Sequence, residues 1–341
     1  MKKTTISDVA RKAGLSTATV DRALNDRGGV SAANRQRVFR AAKELGYLPT
    51  EGMLALPSRP AHLEFFIPFA HNSFMQDVAR KITTFASSLP LVASCNVTAL
   101  DGIDPDALVA ALEGLPLRTN GVGVIAVDHP KTRHAIRRLC ESGVRVVTLV
   151  TDVLSTPRSA FVGVDNLVAG RTAALIMGLT SREKKGSIGL FLGSRTLHGH
   201  QQREYGFRTL LEEQFKHLTI LPAIETRDEN KLSQPAMERM LRDTDDLVGV
   251  YCVGAGRAGI AEVLQAAQGN KRPFVIMHDL TDATRAWLAE DLIDVVIDQN
   301  ARLIGEQVVI RLLGSIAAST PTLSLKNIEP RIIFRENIPL V

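Results

Sequence analysis

The chain has 341 residues, of which 45% are hydrophobic and 23% charged, and its formal net charge is +5. This balance is ordinary for a globular protein and excludes a disordered or fibrous chain, while the length allows a small domain plus one large or two medium domains. No apolar run is long enough to span a membrane, and the first residues, MKKTTISDVA, lack the apolar core of a signal peptide. We therefore expect a cytoplasmic protein.

The first fifty residues predict a small all-helical head. The segment TISDVARKAGLSTATVDRALN indicates two short helices joined by a tight turn at Gly14, where glycine permits a positive φ. Ser16 is placed to cap the second helix, in which Val20 and Leu24 point inward at i, i+4 spacing. The outer face of that helix then carries Thr17, Ala18, Asp21 and Arg22.

A third helix completes the head. The segment SAANRQRVFRAAKELGY begins at a predicted Ser31 cap and carries an apolar stripe of Val38, Ala41, Ala42 and Leu45. Three helices in this order are typical of a helix-turn-helix domain, whose second helix lies in the DNA major groove. The alternative is a helical cap that only docks on the rest of the protein.

Charge favours the DNA-binding interpretation. Residues 1–50 contain 10 Lys or Arg and 4 Asp or Glu, a net charge of +6, whereas the whole chain carries +5. The rest of the chain is therefore close to neutral. Such asymmetry is expected when one end of a protein neutralises phosphates and the other does not.

The run TISDVARKAGLSTATVDRALN, followed by GGVSAANRQRVFRAAKELGYLP, is similar throughout to the DNA-binding head of the lac-repressor (LacI/GalR) family of bacterial transcription regulators. It departs from the family at Asp21, where Ser is usual, and after Pro49, where TEGML replaces the usual pattern. The resemblance implies that Arg22 contacts a guanine, Thr17 and Ala18 contact base edges or a thymine methyl, and Ser16 and Arg35 contact phosphates.

Residues 49–61 are predicted to form a hinge linker, because prolines bracket a short apolar piece in LPTEGMLALPSRPA. The resemblance implies a hinge helix that levers Leu56 into the minor groove and kinks the duplex. Gly52 in mid-helix and Pro57 directly after Leu56 oppose that helix. The alternative is a disordered connector with Leu56 against the next domain.

From residue 62 onward, short apolar runs alternate with amphipathic segments, which predicts parallel sheets covered by helices on both faces. Ten strands are more than one open sheet commonly carries, so two doubly wound lobes are expected. The predicted strands are LEFFIPF, LVASCNV, GVGVIAV, VRVVTLV, AFVGV, GSIGLFLG, LTILPAI, LVGVYCV, PFVIMHD and DVVIDQ.

This part of the chain resembles the periplasmic-binding-protein-like effector domain of the same family. The motifs that carry the resemblance are GVDNLVAGRTAA, GHQQREYGF, HDLT and IDQNARLIG. It implies a helix-turn-helix head (1–48), the hinge (49–61) and an α/β effector domain (62–341). Lobe 1 would span about 62–165 plus 300–325 and lobe 2 about 166–299, with a ligand at the carboxyl ends of the strands between them.

The resemblance also implies ligand-binding residues. Arg203 matches the family arginine that reaches into the cleft and holds hydroxyls or a carboxylate with its planar fork. Asp279 and Gln299 match positions at other strand ends, where a carboxylate and an amide suit a polyol. The alternatives are a surface arginine on a helix and ordinary capping of strand ends.

Three further residues follow predicted strands or begin helices beside them. Phe74 is placed either to stack on a sugar face or to join the core. Asp128 and Asp152 follow the strands GVGVIAV and VRVVTLV. At Asp152 the usual family pattern is replaced by LVTDV, and an Asn that the family carries after LVGVYCV is replaced by Gly254, so the ligand's identity does not follow from the resemblance.

A second interpretation comes from the motif VGAGRAG. Gly254, Gly256 and Gly259 form a GxGxxG between a predicted strand and a helix, and Asp279 ends the next strand. This pattern is typical of dinucleotide binding, with glycines near the pyrophosphate and an acid on the ribose. It would make the protein an NAD(H)-sensing redox regulator. Against it, the unit lies late in the chain.

Metal binding and catalysis are not expected. His198 and His200 flank Gly199 on a predicted loop without a nearby third ligand, and no Ser-His-Asp order, nucleophile elbow or P-loop is present. The cysteines are three and far apart, which indicates reduced buried thiols. They are Cys95, Cys140 and Cys252.

The sequence therefore predicts a repressor that binds a near-palindromic double-stranded operator as a homodimer, without a cofactor and without a membrane. Its effector is predicted to be a small polar ligand: a sugar, a sugar acid or a polyol. A dinucleotide-sensing regulator is the second hypothesis. An enzyme or a solute-binding protein fused to a DNA-binding head is the third. The sequence leaves open whether the effector is an inducer or a corepressor.

Overall fold

The computed structural model describes residues 5–24, 29–45, 47, 57, 59–68, 72–181, 185–267, 272–317 and 328–340. Within these ranges the chain forms a three-helix head followed by two β-sheets with helices on both faces. Leu56 and most of the linker at 49–61 lie outside the described residues. The head helices are α1 (Ile6–Ala13), α2 (Thr17–Leu24) and α3 (Ala32–Glu44).

Short-range hydrogen bonds fix the head helices. Gly14 ends α1 with a φ of 63°, as the turn requires. The Ser16 hydroxyl accepts from the Thr19 N–H at 3.1 Å, and the Ser31 hydroxyl accepts from the Asn34 N–H at 3.3 Å. The predicted caps of α2 and α3 are therefore confirmed.

The head has its own small core. Leu24 and Leu45, which were predicted to face inward, lie half-buried at its edge, and Ala23 is fully buried instead. Small side chains let three short helices approach closely. The buried residues are Val9, Ala10, Ala13, Val20, Ala23, Val38, Ala41 and Ala42.

Lobe 1 is a parallel five-stranded sheet in the order β2-β1-β3-β4-β5. Its strands are β1 (Ala61–Ile67), β2 (Val92–Ala99), β3 (Gly121–Val124), β4 (Arg145–Leu149) and β5 (Ala160–Val162). One face carries α4 (Ser73–Ser87) and α12 (Ala301–Ala317). The other carries α5 (Pro105–Glu113) and α6 (Pro130–Glu141).

Lobe 2 contains seven strands in the order β12-β11-β10-β9-β6-β7, with β8 also paired to β6. They are β6 (Gly186–Leu192), β7 (Leu218–Ile220), β8 (Ile224–Glu225), β9 (Leu247–Cys252), β10 (Phe274–His278), β11 (Val295–Asp298) and β12 (Arg331–Ile333). The first face carries α7 (Asn166–Thr180) and α8 (His198–Gln214). The second carries α9 (Asn230–Asp243), α10 (Arg257–Ala266) and α11 (Asp282–Ala289).

The predicted fold class is confirmed, with three differences in detail. The segment LTILPAI forms two short strands rather than one, because Pro222 between them has no N–H to donate. The edge strand β12 was not predicted and pairs antiparallel with β11. Helix α8 begins at His198, so His198 and His200 lie on a helix and not on the predicted loop.

Helices α7 and α8 pack closely against each other, and two glycines permit this contact. A Cβ at Gly170 would lie 2.1 Å from the Arg203 carbonyl oxygen, and one at Gly206 would lie 2.4 Å from the Leu167 carbonyl oxygen. These neighbours are backbone atoms, which cannot move aside cheaply. The two motifs GVDNLVAGRTAA and GHQQREYGF therefore share a structural role, since they bring the two helices together.

We predict that Gly170→Ala lowers the free energy of unfolding by about 1–3 kcal/mol, because overpacking forces backbone shifts. The control is Gly114→Ala, where a Cβ would meet the nearest atom at an ordinary 3.6 Å. Urea unfolding of the full chain measures both. Equal midpoints for the two variants would contradict this account of the α7–α8 contact.

Candidate functional site

A cleft of about 1500 Å³ lies between the two lobes. Its lining residues follow the carboxyl ends of β1, β2, β3 and β4 in lobe 1 and of β6, β8, β9, β10 and β11 in lobe 2. This is the edge at which open parallel sheets bind ligands. Of the six ligand-binding candidates, five line the cleft: Phe74, Asp128, Arg203, Asp279 and Gln299.

Arg203 lies on α8 at the floor of the cleft and is only 3% exposed. Its Nε donates to the Asn166 side-chain oxygen at 2.7 Å, and its Nη1 donates to the Val253 carbonyl at 2.9 Å. Burial lowers the pKa of the guanidinium, and the nearby Asp279 carboxylate opposes that shift. The arginine is therefore a fixed, desolvated cation beneath the cleft rather than a surface side chain.

Asp279 is buried beside Arg203 in a left-handed backbone conformation, with a φ of 68°. Its two carboxylate oxygens accept from Gln299 Nε2 at 2.7 Å and from Arg257 Nη1 at 3.2 Å. Burial raises the pKa of this carboxyl, while Arg257 and Arg203 act to lower it. Arg257, which the sequence analysis did not single out, thus balances the charge of Asp279.

The two other aspartates differ. Asp128 lines the cleft and binds Arg133 in a bidentate ion pair at 2.6 and 2.8 Å, which holds its pKa below the usual value. Asp152 is not among the residues that line the cleft. Its carboxylate accepts from Thr148 Oγ1 at 2.6 Å and pairs with Arg158. An arginine six residues along the chain therefore turns Asp152 away from the candidate site.

Phe74 is 2% exposed and belongs to the core of lobe 1, although it contacts the cleft wall. Its position follows from Asn72, whose side-chain oxygen accepts from the N–H groups of Phe74 and Met75 and so caps α4. Of the two roles predicted for Phe74, burial favours the core.

The three glycines of VGAGRAG have packing roles. A Cβ at Gly254 would lie 2.7 Å from the His200 ring, Gly256 has a φ of 82°, and a Cβ at Gly259 would lie 2.4 Å from Ser233 Oγ. The Asp228 carboxylate accepts from the Ala255 N–H at 2.9 Å. An acidic side chain therefore lies in the turn before α10, close to where a pyrophosphate would need to bind.

Two further residues of the cleft region, Asn166 and Asp228, were not predicted from the sequence, nor was the orientation of His200. Asn166 lies in GVDNLVAG and is 2% exposed, and Asp228 follows β8 with a φ of 61°. Both are held by contacts with residues that are distant in the chain. One feature of the sequence could have indicated them. Gly254 replaces the larger Asn that the family carries at this position, and the glycine leaves space for neighbouring side chains.

The DNA-binding candidates differ in their exposure. Ser16, Thr17, Ala18 and Arg22 are exposed at the start and outer face of α2, as predicted from helical spacing. Asp21 and Arg35 are half-buried. Leu56 lies outside the described residues, so its predicted role stays a prediction.

In the described ranges, no group of three or more His, Cys, Asp or Glu side chains is arranged to hold a metal ion. None of the helices in those ranges is long and apolar enough to cross a membrane. The cysteines are free, and burial raises the pKa of Cys95 to about 11 and that of Cys252 to about 12, so both thiols stay protonated at neutral pH.

Comparison with known proteins agrees with these features. The periplasmic binding protein domain matches residues 63–314, and the lacI family of bacterial regulatory proteins matches residues 5–50. The glucose-galactose binding protein GanP from Geobacillus stearothermophilus has a TM-score of 0.73 at 19% identity, covering 83% of this chain and 100% of GanP. The likeness to GanP supports the fold alone.

Curated relatives are regulators by name. The HTH-type transcriptional regulator DegA of Bacillus subtilis (strain 168) is 26% identical over 216 residues, 62% of this chain and 61% of DegA. The ribose operon repressor of Halalkalibacterium halodurans is 38% identical over 86 residues, 25% of this chain and 26% of the repressor. The chain thus spans less than two thirds of either relative. It belongs to the lacI family of bacterial regulatory proteins, with an effector part built on the periplasmic binding protein domain.

Proposed function

We propose that the protein is a transcriptional repressor whose operator affinity is controlled by a small polar ligand bound between its lobes. One observation supports this proposal most strongly: the same chain contains a basic helix-turn-helix head and a cleft with a buried arginine at its floor. The names of DegA and the ribose operon repressor support regulation as the function. No residue constellation in the described cleft calls for catalysis.

The head binds DNA as part of a homodimer. Each copy reads one half-site of a near-palindromic operator, since two-fold protein symmetry imposes two-fold DNA symmetry. Arg22 contacts a guanine through its planar fork, and Thr17 and Ala18 contact base edges. Ser16 and Arg35 contact phosphates, which set register without reading sequence. Such a protein works in the compartment that holds the DNA, the cytoplasm.

The ligand is a sugar, a sugar acid or a polyol. The cleft combines buried charge with carboxylate and amide groups, and such groups bind hydroxyls through several directed hydrogen bonds. GanP, which shares the fold, is described as binding glucose and galactose. The dinucleotide hypothesis is not carried forward, because the glycines of VGAGRAG make room for neighbouring side chains and Asp228 accepts from the Ala255 N–H in the turn before α10.

Control of DNA affinity follows from linkage. A ligand that prefers one arrangement of the lobes shifts the population of the whole protein toward that arrangement. The hinge at residues 49–61, including Leu56, connects lobe 1 of the effector domain (62–341) to the head (1–48). The spacing of two hinges in a dimer then sets how well both heads fit one operator, so ligand and operator affinities are coupled.

We predict that Arg22→Ala relaxes discrimination at one base pair by about 1–3 kcal/mol, because a bidentate contact to guanine is lost. The control is Arg35→Ala, which should weaken binding to all sequences equally. It should also reduce, by about one, the magnitude of the slope of the logarithm of the binding constant against the logarithm of the salt concentration. Binding-site selection and salt titration measure the two effects. Unchanged base preference in Arg22→Ala would contradict the assignment.

A second prediction concerns Arg203. Arg203→Lys keeps the charge but loses the fork that joins Asn166, Val253 and the ligand, so the ligand should no longer change operator affinity while ligand-free DNA binding persists. Arg208→Lys, on the same helix but outside the cleft lining, should respond as the wild type does. Operator titration with and without the ligand measures this. A normal response in Arg203→Lys would place the ligand elsewhere.

A further inference from the structure

Two glycines open a notch in the lobe 2 wall of the cleft. Gly193 and Gly254 follow β6 and β9, which are neighbouring strands. A Cβ at Gly193 would lie 2.0 Å from Asp228 Oδ1 and 2.7 Å from the His200 Cε1 atom. A Cβ at Gly254 would lie 3.0 Å and 2.7 Å from the same two atoms. Asp228 and His200 therefore lie side by side in space that any larger residue would fill.

The Asp228 carboxylate presents an acceptor to the cleft. Its Oδ1 accepts from the Ala255 N–H at 2.9 Å, which fixes the orientation of the group. Its Oδ2 lies 3.5 Å from the side-chain nitrogen of Asn72, which belongs to lobe 1. This long contact spans the cleft, so Oδ2 keeps capacity for a stronger donor from a ligand.

His200 presents a donor beside that acceptor. The Ser194 N–H donates to His200 Nδ1 at 3.2 Å, so in the neutral ring the proton is on Nε2. Burial lowers the pKa of His200 to about 4, and the ring is therefore neutral near pH 7. No acceptor for Nε2 lies within hydrogen-bond distance in the described part of the chain, and His200 lines the cleft.

We propose that Asp228 and His200 together bind one hydroxyl of the ligand, and so make the cleft select a neutral sugar or polyol over the sugar acid of the same carbon skeleton. This inference rests on the proposed function. A hydroxyl donates to the carboxylate and accepts from the imidazole N–H at once. A ligand carboxylate only accepts, and Asp228 repels it. An ammonium group only donates, which leaves the imidazole N–H unpaired.

The floor of the cleft independently favours a ligand with donors and without charge. Gln299 Oε1 is buried and has no hydrogen-bond partner among the described residues, while Gln299 Nε2 donates to the Asp279 carboxylate. A ligand hydroxyl would satisfy that oxygen. The charges around it already balance, since Arg203 and Arg257 face Asp279 and Asp228. An anionic ligand is thus not needed to neutralise the buried arginines.

The test uses matched probes on the full chain. Pentoses, hexoses and their alditols are each compared with the corresponding aldonic acid by isothermal titration. The wild type should bind the neutral member of a pair at least about tenfold more tightly, a ratio equivalent to about 1.4 kcal/mol. A wild type that binds the acid as tightly as the neutral compound overturns the inference.

Two variants separate the notch from the rest of the cleft. Asp228→Asn keeps an acceptor for the Ala255 N–H and removes the negative charge. The preference for the neutral compound over its aldonic acid should therefore fall to less than about threefold, mainly because the acid binds better. Gly254→Ala displaces both side chains without changing charge, so affinity for the neutral compound should fall. Glu213→Gln, which removes a charge outside the cleft, should keep the wild-type ratio.

The possible outcomes separate a failure of the notch proposal from a failure of the proposed function. If neutral compounds bind the wild type but both Asp228→Asn and Gly254→Ala keep its ratio, the notch has no part in selectivity while the proposed function stands. If neither neutral compounds nor acids bind the wild type, the proposed function fails and this inference fails with it. Circular dichroism on each variant identifies any loss of folding.

Discussion

The hydrogen bonds of Arg203 join two helices and a strand of lobe 2 at the floor of the cleft. Its guanidinium joins α8 to α7 through Asn166 and to β9 through the Val253 carbonyl. A buried charge is tolerated only when its donors are satisfied, so these contacts fix the helix and the strand together. The close approach that Gly170 and Gly206 permit brings Asn166 within reach.

The same contacts extend into lobe 1. The amide nitrogen of Asn166 lies 3.4 Å from the Val150 carbonyl, and the Gly199 N–H donates to Thr151 Oγ1 at 3.1 Å. Val150 has a φ of 64°, which is unfavourable for a β-branched residue. The arginine at the floor of the cleft is thus linked, through the Asn166 side chain, to a strained turn at the end of β4.

Sequence reasoning succeeded where structure is decided locally. The caps at Ser16 and Ser31 and nine of the ten predicted strands depend on nearby residues and on hydrophobic patterns, which the sequence displays directly. It failed where the structure is determined by contacts between residues that are far apart in the sequence. The GxGxxG at Gly254 has the spacing of a dinucleotide motif, yet its glycines make room for His200, Asp228 and Ser233. Asp152 follows its strand as predicted, but Arg158 binds it.

The Asp228 notch was beyond sequence reasoning for the same reason. Four segments of the chain converge there, and the two groups that matter are defined by the absence of side chains at Gly193 and Gly254. Nothing in the local pattern of either glycine indicates which side chains fill the space. Only the pairing of β6 with β9 brings the two glycines together.

The most direct test of the central claim is thermal unfolding of the full chain with monosaccharides, sugar acids, polyols, NAD and NADH. A ligand at 100 times its dissociation constant adds about 2.7 kcal/mol, enough to raise the unfolding midpoint by several degrees. A sugar or polyol should raise the midpoint, and the dinucleotides should leave it unchanged. A rise with NAD or NADH, and with none of the other compounds, would contradict that claim.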